Sequence, residues 1–219
     1  FMKLMAFFER EVYIYNNFLP HIIDFQNEMK IKWTEGFFNF PKVFYADYDK
    51  EKDDAIIIME DLRNFGYKMW DKSKPVNFEH SKVLMVTLGK LHALSFAMKI
   101  KKPEIFEKFK ELNDYVSQNF KEGQHKDYFI ESMKKAIDCL SPNDNESKQK
   151  FQKLTDNFIE VLMDVTTASL IEPFGVVGHG DCWINNYLFH YENDQTPDRI
   201  VLVDWQVSRY SSPVADLVY

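Results

Sequence analysis

The feature that most constrains this chain is a change of period along its length. From about Phe78 the apolar residues recur at helical spacing: Leu84, Leu88, Leu91 and Ser95 share one face, with Val83 and Leu94 beside it. Residues 103–170 continue as helix, broken near Gly123 and around Ser141-Pro142-Asn143, and Phe151, Leu154, Phe158 and Leu162 repeat at intervals of three and four. On both sides of this middle the pattern is that of strands. Residues 41–47 and 55–59 are aromatic and β-branched, and the charged turn 49–54 between them predicts a hairpin with a buried second strand. Residues 187–191 and 199–204 predict a second hairpin across the polar turn 192–198, and residues 175–178 are a short apolar run entering a turn. Residues 7–18 predict a helix, with Pro20 after it. The expected class is α+β. A small β-containing part, 1–62, precedes a helical part, 63–219, and the boundary falls at Glu60, Asp61 and Leu62.

Composition narrows the function classes. Apolar residues make up 45% of 219 residues, enough for a well-packed core. A net charge of −7 argues against a general binder of nucleic acid or of anionic membrane. No uninterrupted apolar run reaches the roughly 20 residues of a membrane span. Two distant cysteines, Cys139 and Cys182, form neither a disulfide framework nor a C-x-x-C metal spacing, so a reducing, cytoplasmic setting is expected. Asn145-Glu146-Ser147 matches a glycosylation acceptor, a motif short enough to recur by chance. Seven glycines are few, as befits a helical chain with few tight turns.

One segment carries chemistry. Gly178-His179-Gly180-Asp181-Cys182-Trp183-Ile184-Asn185-Asn186 lies between a strand and a hairpin, and Asp204 closes the second strand of that hairpin. The pattern is His-x-Asp-x4-Asn followed by a strand-end Asp. Phosphoryl transfer from a nucleotide requires a few protein oxygens for Mg²⁺ and a carboxylate to accept the proton of the attacking hydroxyl. Taken singly, His179 reads as a core histidine, and Asp181, Asn186 and Asp204 read as turn or cap residues; their co-occurrence carries the functional reading. A metal-dependent hydrolase using His179, Asp181 and Asp204 as ligands is an alternative that leaves Asn186 idle. Cys182 as a nucleophile lacks a histidine placed by sequence. The glycines Gly175, Gly178 and Gly180 run in the wrong order for a dinucleotide loop.

Residues 179–186 followed by Val203-Asp204-Trp205-Gln206 resemble the ecdysteroid kinase-like family, a branch of the choline-kinase and aminoglycoside-phosphotransferase side of the protein-kinase-like fold. Other segments agree in order: Glu11 with Tyr15 and Pro20, Met59-Glu60-Asp61-Leu62, Leu91-His92-Ala93-Leu94-Ser95, and Pro213-Val214-Ala215-Asp216-Leu217. The resemblance implies ATP and Mg²⁺ as cofactors and a small-molecule alcohol as acceptor. It makes Asp181 the catalytic base and Asn186 and Asp204 the Mg²⁺ ligands. His179 would brace the catalytic loop, and Asp216 would hydrogen-bond its backbone. Glu11 would pair with a phosphate-binding lysine, and the backbone of Glu60, Asp61 and Leu62 would meet adenine, with Met59 behind it. Gly180 stands where protein kinases have Arg, and Trp205-Gln206 replaces Phe-Gly, which points away from a protein kinase.

The same resemblance sets expectations about what is missing. No glycine-rich strand–turn–strand precedes Glu11, and Lys3 lies too close to it to be assigned as its partner. The chain is expected to be cut at both ends relative to the family, with a partial N-terminal lobe and a mostly helical C-terminal lobe. Phe106, Phe109, Tyr115, Phe120, Tyr128 and Phe129 are candidates for an apolar acceptor pocket, against plain helix packing. A lipophilic acceptor, an ecdysteroid or xenobiotic-like alcohol, fits the family better than choline or ethanolamine. The rival from another class is an inactive kinase-like binding module.

Overall fold

A computed structural model describes residues 4–112, 126–166, 168–193 and 196–218. Helix α1 (Leu4–Tyr13) runs through a π-turn (Ile14–Phe18) into α2 (Leu19–Glu28). The helix does not end before Pro20. Pro20 occupies the first turn of α2, where its missing N–H costs nothing, and the i→i+5 bonding of the π-turn spans the junction. The hairpin β1 (Val43–Asp49) and β2 (Asp54–Met59) follows, antiparallel, with Ala46 opposite Ile57. Its second strand is not buried on both faces: Ile56 and Ile58 lie open to solvent at 49% and 46%, as do Phe44 and Tyr45 on β1. The ribbon has α1 against one face only, so an apolar run rich in Ile became a half-exposed strand.

A 3₁₀ turn (Leu62–Phe65) and a two-residue strand β3 (Lys68–Met69) lead to the long helix α3 (Phe78–Lys101). Asn77 caps α3: its Oδ1 accepts the His80 amide at 3.1 Å and the His80 ring Nδ1–H at 2.6 Å. Leu88, Leu91, Leu94 and Ser95 are buried along the predicted face, Leu84 and Val83 are partly buried against it, and Met98 extends it. Replacing Leu88 or Leu91 by Ala would cost about 2–5 kcal/mol. By length and composition α3 is apolar enough to cross a bilayer, and here it is the central core helix.

Short helix α4 (Pro103–Phe106) and a 3₁₀ turn place Phe106 and Phe109 in the core. Phe109 meets Phe18 edge-on at 5.2 Å, and Phe106 meets Tyr210 at 5.9 Å. These two rings are fully buried in the core packing. Tyr115, Phe120, Gly123 and Lys3 lie outside the described residues. Tyr128 and Phe129 are exposed on α5 (Lys126–Asp138), where Phe129 stacks on Phe158 at 6.1 Å. Then come α6 (Asn145–Asp156), capped by Asp144, α7 (Phe158–Thr166) and α8 (Ala168–Ile171).

The last third builds the platform for the site. Strand β4 (Val176–Gly178) pairs antiparallel with β7 (Arg209–Ser211), and β5 (Tyr187–Asn193) pairs with β6 (Thr196–Leu202), β3 adding to the free edge of β5. A short helix α9 (Val214–Leu217) ends the described chain. One hydrophobic core runs across the boundary at residue 62, joining Phe18, Leu19 and Phe25 to Leu88, Phe106, Tyr187 and Trp205.

Candidate active site

The site forms where the loop after β4 and the turn after β6 meet helices α1, α3 and α9. β4 delivers the chain to Gly178, and residues 179–183 then run in open conformation into a 3₁₀ turn (Ile184–Asn186) before β5. Gly180 turns the loop at φ +88°, and an added Cβ there would strike the Val207 carbonyl oxygen. Gly178 is equally fixed, because a Cβ would meet the Asp216 carboxylate.

His179 is fully buried and both ring nitrogens are engaged. Nε2–H donates to the Val203 carbonyl at 3.0 Å, and Nδ1 accepts the Asp181 amide at 3.3 Å. That pattern requires the neutral ring with its proton on Nε2. Burial pushes the imidazole below its ordinary value, against the pull of Asp216 and other groups. With no lone pair left over, His179 cannot ligate a metal, and the hydrolase alternative loses its first ligand. Among the described residues no group of three His, Cys, Asp or Glu side chains is arranged to hold a metal. Cys182 is buried, and burial with the nearby Asp216 charge raises its thiol strongly, which removes it as a nucleophile.

Asp216 holds the loop from beneath. Its Oδ2 accepts the His179 amide at 2.9 Å and its Oδ1 the Gly180 amide at 2.8 Å. His92 Nε2–H of α3 donates to Oδ2 at 2.8 Å. One turn further along α3, the Ser95 hydroxyl accepts the Val177 amide at 2.8 Å. The Leu91–Ser95 motif thus grips both the loop support and β4. The sequence marked that motif but gave His92 no partner, and a His three residues before a Ser on an apolar helix face was the available signal.

Asn186 and Asp181 face each other across the loop. Asn186 Nδ2 donates to the Asp181 carbonyl and to Asp181 Oδ2, both at 3.0 Å, leaving its Oδ1 without a hydrogen bond among the described residues. Asp204 follows β6 in the left-handed region at φ +66°. Burial first, and then the Asp181 charge, raise its carboxyl above the usual value. Glu11 on α1 is the third acid. Burial and the Asp204 charge lift it to about 7, although it accepts the Trp205 amide at 3.3 Å. Among the described residues no salt bridge reaches Glu11, Asp181 or Asp204. Glu11 is thus raised by burial and by Asp204, and Asp204 by burial and by Asp181, so negative charge is concentrated beside the Asn186 carbonyl oxygen.

Trp205 packs fully buried between Phe37, at 6.2 Å, and His179, at 4.7 Å. The structure therefore brings Glu11, His179, Gly180, Asp181, Asn186, Asp204, Trp205 and Asp216 together. Met59, Glu60, Asp61 and Leu62 form a separate group at the end of β2. There Lys42 and Glu60 exchange a backbone bond at 2.9 Å and a carboxylate–amide bond at 2.6 Å, Asp61 caps the 3₁₀ turn, and Leu62 is buried. No hydrogen bond among the described residues joins that group to the acids. Arg10 and Ser208 also belong to the site, and nothing in their sequence neighbourhood singled them out.

The α+β layout carries an acid on a strand–loop, an amide five residues on and a strand-end acid. The chain matches the ecdysteroid kinase-like family over residues 1–219 and belongs to it. No curated protein and no solved structure matches the chain. The family is kinase-like and implies a phosphotransferase acting on small molecules.

Proposed function

We propose that this chain carries the catalytic residues of an ATP- and Mg²⁺-dependent phosphotransferase that moves the γ-phosphate to a hydroxyl of a small lipophilic molecule, an ecdysteroid or xenobiotic-like alcohol, in the cytoplasm. The observation that carries the reading is the electrostatic coupling of Glu11 to Asp204 and of Asp204 to Asp181, beside an Asn186 Oδ1 that takes no hydrogen bond among the described residues. Asn186 and Asp204 would hold the metal, which supplies charge neutralisation on the donor phosphates.

Asp181 accepts the proton of the attacking hydroxyl. The Asn186 amide fixes its Oδ2, so the other oxygen is free to face the acceptor. His179, held neutral, braces the loop by joining it to Val203, one residue before Asp204. Asp216 keeps the loop amides in place. The end of β2, at Met59, Glu60, Asp61 and Leu62, would meet the adenine.

The test is Asp181→Asn in the full-length protein, assayed for phosphate transfer from ATP to a panel of steroid and xenobiotic alcohols, with choline and ethanolamine included. Transfer should fall by about 10²–10⁴ with the fold intact. An enzyme unharmed by the change refutes the assignment of the base. Asp204→Asn should abolish Mg²⁺-dependent ATP binding, and normal binding refutes its metal role. A second reading, a kinase-like binding module without turnover, is favoured by one observation: among the described residues Glu11 has no basic partner. Wild-type full-length protein that binds ATP and transfers nothing to any acceptor selects it.

A further inference from the structure

We infer that Arg10 is a positioning residue that clasps the turn after Asp204 onto helix α1; the inference rests on the phosphotransferase reading for its consequence, not for its geometry. Arg10 is 5% exposed, and its Nη1 donates to the Ser208 carbonyl at 2.5 Å, across 198 residues of sequence. A guanidinium keeps its charge in any protein, so a buried one must keep its partners. Ser208 passes the hold on: its hydroxyl donates to the Gly178 carbonyl at 2.6 Å, just before His179, and its amide donates to Trp205 O at 3.0 Å. At the other end of the same turn Glu11 accepts the Trp205 amide. Two adjacent residues of α1 thus take the two ends of residues 205–208. From the far side Arg209 Nη1 donates to the Gly180 carbonyl at 3.0 Å.

The consequence falls on Asp204. It sits in left-handed backbone immediately before this turn, a conformation that persists only where the surroundings hold it. With the turn fixed to α1 and to the start of the catalytic loop, the direction of the Asp204 carboxylate is set without any added group. The Arg10–carbonyl bond is charge-assisted, the stronger kind of hydrogen bond.

The test uses the full chain with Arg10→Met, which matches the length and removes the charge and donors, and Arg10→Lys, which keeps the charge and one donor. Two quantities are measured: hydrogen exchange at the Trp205 and Ser208 amides, and the Mg²⁺ concentration for half-maximal ATP binding by calorimetry. Arg10→Met should speed exchange at both amides and raise the Mg²⁺ requirement, each by about tenfold, the size of one charge-assisted bond. Arg10→Lys should fall between, at about threefold. If Arg10→Met does not fold, Arg10→Lys carries the test, and no change in either quantity overturns the inference. Equal losses of thermal stability with unchanged Mg²⁺ dependence make Arg10 a core residue only, which also overturns it. Wild type that binds no Mg²⁺–ATP refutes the phosphotransferase reading instead; the clasp is then judged on exchange, and unchanged exchange in Arg10→Met overturns it.

Discussion

His92 Nε2 lies 2.8 Å from Asp216 Oδ2, two buried groups 124 residues apart that meet beneath the catalytic loop. The carboxylate also takes the amides of His179 and Gly180, so three donors depend on it. Asp216→Asn keeps the shape but leaves at least one buried donor unmatched and should cost about 1–3 kcal/mol. Asp216→Ala, which strands all three, should cost about 3–5 kcal/mol. Chemical denaturation of the two variants checks the order. Burial alone would raise Asp216, but the hydrogen bond and charge of His92, with His179 and the Gly180 amide, hold it below its ordinary 3.8. A depressed carboxyl stabilises the fold above its unfolded value and loses that contribution as pH falls through the folded one. Wild type should therefore lose stability below pH 3.8, and the Asp216→Asn variant should show a shallower acid limb in melts from pH 5 to pH 2.

Glu11 works in the opposite sense. Its carboxyl is raised from 4.5 to about 7 by burial and by Asp204. An acid raised in the fold favours folding below its unfolded value, and that benefit drains away as pH rises through about 7. Glu11→Gln should leave metal-free protein unchanged near pH 4 and stabilise it at pH 8, by up to about 3 kcal/mol. In the proposed enzyme the same variant should lose phosphotransfer. A melt at pH 8 no higher than wild type refutes the buried-acid account.

Glycine substitutions separate backbone need from helix preference. Gly180→Ala must place a side chain at φ +88° and against the Val207 carbonyl, so a loss above about 2 kcal/mol is expected, with loss of turnover. Gly89, on the open face of α3, has nothing within 4 Å of an added Cβ. Gly89→Ala should stabilise by about 0.5–1 kcal/mol. Thermal melts of the two variants should move in opposite directions.

The two cysteines should differ in reactivity. Cys139 is exposed, while Cys182 is buried with a raised thiol. A thiol reagent at pH 8 should titrate one group per folded chain quickly and the second only on unfolding. Two fast thiols in native protein contradict the placement of Cys182.

What the sequence showed followed from how local each signal is. α3, both hairpins and the break at residues 141–143 carry enough residues for a period to register. β3 and β7, two and three residues long, do not, and neither was expected. The π-turn leaves no mark in apolar spacing, so Pro20 read as an end to the helix rather than its second beginning. Ile56 and Ile58 read as buried because an apolar run records hydrophobicity, while burial depends on whether a second layer covers it. The same division holds in the site. His179, Asp181 and Asn186 sit within eight consecutive residues and were legible together. Arg10, His92 and Ser208 reach the site only through tertiary folding, and each binds a backbone group or a distant acid that spacing cannot show.

Asp204 stands at φ +66°, where, glycine apart, Asp and Asn are the side chains the backbone tolerates best. Its chemistry and its conformation therefore select from the same short alphabet. Glu, with the same charge, carries a backbone cost of about 1–2 kcal/mol before reach is considered, and Ala would mix a folding defect of the same size with the loss of the acid. A silent version of this protein, whether made at the bench or reached by mutation, has a narrow exit: Asn or Gly at position 204 removes the acid and leaves the fold in place.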